Sequence, residues 1–118
     1  MVDYSKLSDF EINNRVASLC TIEGVVINDN GEPVRNIVDE SPGSYSGGDY
    51  IEVDYDPCNN PADAWPIIVQ NRISIINLDE DEWGARGVAD RNSKRAIHEN
   101  SLRAAMIVFL MMQDAKNG

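Results

Sequence analysis

Histidine occurs once in this sequence and cysteine twice, and that scarcity removes most of the chemistry a small chain can carry. Two cysteines do not make a disulfide framework. A zinc site needs several nitrogen or sulfur ligands at set spacings, and Cys20, Cys58 and His98 are scattered singly. Cys58 and His98 as a nucleophile and its base have no motif around them, and His98, next to Glu99 in a polar stretch, reads as a solvated side chain. Gly84 and Gly87 are not followed by the lysine of a phosphate loop. No cofactor, no metal and no enzymatic activity are expected.

Positive charge is also in short supply. Ten Lys and Arg stand against twenty Asp and Glu, a formal net charge of −10, which repels nucleic-acid backbones and anionic membranes at long range. Direct nucleic-acid binding is therefore not expected. Apolar runs are short: the longest, Ala104 to Met112, is far below the roughly 20 residues that cross a bilayer. No N-terminal apolar segment with a charged flank suggests export. The expectation is a cytoplasmic protein with both thiols reduced and no membrane contact.

That same apolar run is what the rest of the chain is organised around. Asn100 is a good N-cap, and Leu102 to Gln113 has acceptable to strong helix propensity, so a helix of about four turns is predicted from Asn100 to Lys116. A helix apolar on nearly every side must be covered on nearly every side. Leu102, Met106, Phe109 and Leu110 are assigned to the core. Ile107, Val108, Met111 and Met112 leave the other sides apolar too, which favours a homodimer, tightening as salt screens the net charge.

In chain order, Ser8 and Glu11 form a capping box with Leu7 and Ile12 placed for a hydrophobic staple, which predicts a helix over Asp9 to Cys20. Its buried stripe is Ile12, Val16, Leu19 and Cys20. Thr21 to Asn28 and Val34 to Val38 read as a hairpin around the Asp29-Asn30-Gly31 turn. The Pro-, Gly- and Ser-rich stretch 39–48 reads as a mobile loop. Asp49 to Tyr55 alternates as a half-buried strand. Asn60 caps a helix beginning at Pro61 and running to about Asn71, with a kinked or 3₁₀ first turn because of Pro66. Ile73 to Leu78 is another strand, and 79–99, opening on an acidic run, is polar and poorly patterned, a second mobile loop. The whole is one domain over residues 1–118.

The blocks CNNPADAWPIIVQNRISI, Cys58 to Ile75, and NSLRAAMIVFLMMQDA, Asn100 to Ala115, with the opening YSKLSDFEINNRVA, Tyr4 to Ala17, resemble the NinX family of lambdoid phages and prophages. Residues 29–49 and 79–99 depart from the family pattern, and Ser101 stands where members often carry proline. More distantly, the order of elements is similar to the phage ABA sandwich domain. The resemblance implies an α+β fold with helices on both faces of a small antiparallel sheet, in a protein of an infected or lysogenic bacterial host; with the elements read above, the expectation is about three helices and three to five antiparallel strands. It implies no mechanism.

Both long blocks sit at predicted helix N-termini, where free amides and the dipole favour an anion. Asn59 and Asn60 form one such end and Asn100 and Ser101 the other. Arg103, in a first turn, faces an unfavourable dipole unless a bound anion or a carboxylate is close; pairing with Glu99 or plain solvation is the bland alternative. Tyr55, Trp65 and Trp83 supply aromatic area nearby in sequence, Trp65 the better candidate for packing and Trp83 for a pocket wall or partner contact. These eight residues are the candidate ligand site. Three functions follow: a non-catalytic protein that captures a small anionic or nucleotide-like host signal in phage-host conflict, an acidic inhibitor of a host protein, and, least supported, a small enzyme.

Overall fold

A computed structural model describes residues 2–38, 50–89 and 91–117. After a single 3₁₀ turn, Tyr4–Lys6, the elements are α1 (Asp9–Leu19), β1 (Val25–Ile27), β2 (Pro33–Val38), β3 (Tyr50–Asp54), α2 (Pro61–Gln70), β4 (Ser74–Asp79), β5 (Glu82–Ala89), β6 (Asn92–His98) and α3 (Ser101–Asn117). The α+β class and the three helices are as expected. The six strands form two antiparallel sheets, β1-β2-β3 and β4-β5-β6, rather than one sheet of three to five. The expected loop at 39–48 lies outside the described residues.

Local chemistry sets the helix ends. Ser8 accepts from the Glu11 amide at 3.1 Å while the Glu11 side chain accepts from the Ser8 amide at 3.3 Å, so the capping box is complete. Asn60 Oδ1 accepts from the Ala62 amide, and Asn100 Oδ1 from the amides of Leu102 and Arg103. Of the two forms expected for the first turn of α2, kinked or 3₁₀, the 3₁₀ form does not occur: the helix is α-helical from Pro61 with Pro66 inside it. The bond it cannot make is to the carbonyl of Ala62, an exposed residue where water can serve instead. The turn between β1 and β2 is held by Asn28, whose Oδ1 accepts from the amides of Asn30 and Glu32.

Helix α3 is the centre of the packing. It lies against β5 and β6 on one side and against α1 and α2 on the other, while α1 in turn meets β1 and β2. Every residue from Arg103 to Leu110 is buried, with Met112. The apolar sides that suggested a dimer are thus covered within one chain: Ile107, Val108 and Met112 are buried and Met111 half-buried. That helix gives no reason for self-association. On α1, Ile12 and Val16 are in the core as expected, but Leu19 is 42% exposed, because the helix ends there and Cys20 turns into extended backbone.

The largest departure is in the stretch 79–99, most of which lies in two long strands paired antiparallel, β5 and β6, and not in a loop. On the face turned to α3, Ala85, Gly87, Ala89 and Ala96 are small, and α3 comes down closely onto Gly87. A Cβ built on Gly87 would lie 2.5 Å from Met112 Sδ and 3.0 Å from Val108 Cγ1. A Gly87→Ala variant is therefore expected to lose about 1 to 3 kcal/mol by overpacking, read as a lower urea midpoint with an unchanged slope. Stability equal to the parent would mean α3 can shift outward at no cost.

Candidate functional site

The two helix N-termini singled out by sequence do meet, and α1 brings a third. Asn100 Nδ2 donates to the carbonyl of Cys58 at 2.7 Å and to Asn59 Oδ1 at 3.0 Å, which ties the start of α3 to the turn before α2. Asn59 Nδ2 donates to Asp9 Oδ2 at 3.0 Å and to the Asp56 carboxylate. Asn13, buried on α1, donates to Asp56 Oδ1 at 2.7 Å and accepts from the Cys58 amide at 3.1 Å.

Arg103 closes this network from within. It is 5% exposed, and its guanidinium donates to Asp9 Oδ1 at 2.6 Å, to the Leu7 carbonyl at 2.6 Å and to the Ser5 carbonyl at 3.2 Å. Its charge is balanced by Asp9, not by Glu99 and not by solvent. Burial alone would raise the Asp9 carboxyl, but hydrogen bonds from Asn59 and Arg103 outweigh it and hold the group below its ordinary value. The positive ends of the helices thus face the chain's own carboxylates: Asp9 in the first turn of α1 and Asp63 in that of α2. Asp63 is buried, accepts from the Asp56 amide at 3.0 Å and lies 3.4 Å from Arg35 of β2.

The remaining candidates scatter. Asn60 caps α2 at an exposed position and Ser101 is half-buried. Tyr55 is buried, with its hydroxyl 3.5 Å from the Asp63 carbonyl, and burial pushes its phenol far up. Trp65, assigned to packing by sequence, is instead 63% exposed on α2, since it falls on the face turned away from α3. Trp83 is half-buried opposite His98 in the β5-β6 ladder. His98 Nδ1 accepts from the Asn100 amide at 2.9 Å. Burial, with the charges of Asp9 and Asp56 adding to it, pushes the Cys58 thiol up to about 12, far from the thiolate a nucleophile needs.

A cleft that no sequence signal marked lies elsewhere, between β6, α3 and the N-terminal segment. Its volume is about 340 Å³, and Ile107 and Met111 of α3, Ala96 of β6 and the residues Val2, Asp3, Tyr4 and Ser5 line it. Lys94 and Arg95 border it as well, and neither makes a salt bridge among the described residues. Its two carboxylates are engaged: Asp114 accepts a short hydrogen bond from the Tyr4 hydroxyl, and Asp3 accepts from the Ser5 amide and hydroxyl. Burial, reinforced by Asp114, pushes the Tyr4 phenol up to about 12.

Among the described residues no group of three or more His, Cys, Asp or Glu is placed to hold a metal ion, and no helix is long and apolar enough to cross a membrane. No curated protein matches the chain, and no solved structure does. Residues 3–113, which include the blocks Tyr4 to Ala17 and Cys58 to Ile75 and all but the last two residues of Asn100 to Ala115, match the model of the family described as Bacteriophage P22, NinX, and the chain belongs to that family.

Proposed function

We propose that this phage protein is a non-catalytic binding protein acting in phage-host conflict, and that its ligand, part apolar and part anionic, sits in the cleft beside β6. The observation that carries this reading is the pairing of an apolar floor, Ile107 and Met111, with two cations that have no salt-bridge partner among the described residues. About 340 Å³ falls within the range of small-ligand sites, which combine an apolar lining with a few polar groups. The helix N-termini are the weaker place for an anion, because Asp9, Asp63 and the capping asparagines already occupy them. A buried thiol of high pKa and a histidine nitrogen engaged by a backbone amide support a role without catalysis. A second reading, an acidic inhibitor of a basic host protein, is favoured by the exposed run Asp79 to Glu82 at the β4-β5 turn.

A thermal-shift screen with nucleotides and medium-chain carboxylates tests the first reading. A ligand at 100 times its dissociation constant adds about 2.7 kcal/mol of apparent stability, and that gain is expected to vanish in an Ala115→Phe variant that fills the cleft. Stabilisation that persists in the filled variant would place the site elsewhere.

A further inference from the structure

The cleft follows the open edge of a sheet. Strand β6 is the last in the order β4-β5-β6, and four consecutive residues of it, Lys94 to Ile97, line the cleft. Neighbouring side chains on a strand point to opposite faces, so a cavity that touches all four runs along the strand's edge and not over one face. On that edge no backbone hydrogen bond joins Lys94 to Ile97 to a further element among the described residues. A row of backbone donors and acceptors therefore faces a cleft floored by apolar side chains.

We propose that the occupant is an extended polypeptide segment that adds to β6 as a fourth strand, seating an apolar side chain on Ile107 and Met111 and bringing the carboxylate of an alternate residue to Arg95 on the opposite face. This rests on the reading of the cleft as the ligand site and names the ligand's class. Strand addition draws its affinity from main-chain hydrogen bonds and its selectivity from pockets for alternate side chains. Four edge residues span about 13 Å, the length of a short peptide and more than a compact anion uses. The charge pattern points the same way. Asp3 and Asp114 border the cleft along with Lys94 and Arg95, so a concentrated anion meets two like charges, whereas a peptide backbone is dipolar and can set one acidic side chain against the cations. Lys94 and Arg95 place two positive charges on this edge, which disfavours a basic segment and favours an acidic, alternating one.

The test uses the full chain, ¹⁵N-labelled, titrated with a capped six-residue peptide of alternating Val and Glu. Three comparison probes are the same peptide N-methylated along one edge, a Val-Lys version, and octanoate. The Val-Glu peptide is expected to shift the amides of residues 94–97 and slow their hydrogen exchange. N-methylation removes two or more hydrogen bonds and should weaken binding by roughly tenfold or more. Arg95→Glu should reverse the preference between the Glu and Lys peptides, since Arg95 lies on the sheet face turned away from α3. Equal binding of the methylated peptide would overturn strand addition. Octanoate binding without any peptide binding would discard strand addition and keep the cleft as a small-ligand site; no binding by any of the four probes would discard both.

Discussion

Urea unfolding of a Phe109→Ala variant is expected to show a loss of about 3 to 5 kcal/mol relative to the parent. Phe109 is 3% exposed on the helix that meets both the β4-β5-β6 sheet and the α1-α2 side. Removing the ring forfeits its transfer free energy and leaves a cavity that cannot easily collapse, since the neighbouring layers are held apart by Met106, Leu110 and their own side chains. Small domains have total stabilities of roughly 5 to 15 kcal/mol, so the variant should sit near the edge of folding at 25 °C. A loss under about 1 kcal/mol would mean that the layers around α3 close up readily, and the packing order described above would be wrong.

The second large effect is expected at Arg103. Replacing it by Met keeps much of the volume but strands the Leu7 and Ser5 carbonyls and the Asp9 carboxylate that it now serves, at about 3 kcal/mol. Asp9→Asn should cost less, about 1 to 2 kcal/mol, because the Asp9 side chain is 45% exposed and water softens the loss. The double variant should lose less than the sum of the two, since the pair is one interaction; strict additivity would show that Arg103 acts only through packing and the two carbonyls.

The same pair sets an acid limb. Asp9 has its carboxyl lowered in the folded state from an ordinary 3.8. Its contribution is therefore fully present above that value and is lost as pH falls through the lower folded value. Parent stability should decline on acidification below about pH 4, and Asp9→Asn should flatten that decline. An identical acid limb in the variant would assign the loss to other carboxylates.

How much of this was legible in the sequence depends on the range of the cause. Helix ends were, because a cap is a matter of neighbours: Ser8 with Glu11, Asn60 with Pro61, Asn100 with the apolar run that follows. The need of Arg103 for a negative partner was legible as well, but its identity was not, since Asp9 lies 94 residues earlier. Strands β5 and β6 were missed for a packing reason. The face they turn to α3 is Ala85, Gly87, Ala89 and Ala96, small because the helix comes so near, while Val88 and Ile97 are exposed. Val88 and Ile97 therefore mark the wet side while three alanines and a glycine mark the packed one, and alternation read by size is lost there. The cleft was invisible because the N-terminal turn, β6 and α3 each supply part of it, and none of those parts is unusual alone.

The position of α3 in the chain also bears on when the protein can fold. Both the helices and the second sheet rest on an element that follows all of them in sequence, so on the ribosome each must wait for it. At about 5 to 20 residues per second, the surfaces of α1, α2 and the β4-β5-β6 sheet stay uncovered for seconds until α3 emerges, and α1, made first, waits longest. Folding of this chain is therefore set by the arrival of its last helix, and a premature stop before Ser101 leaves strands and helices with nothing to close upon.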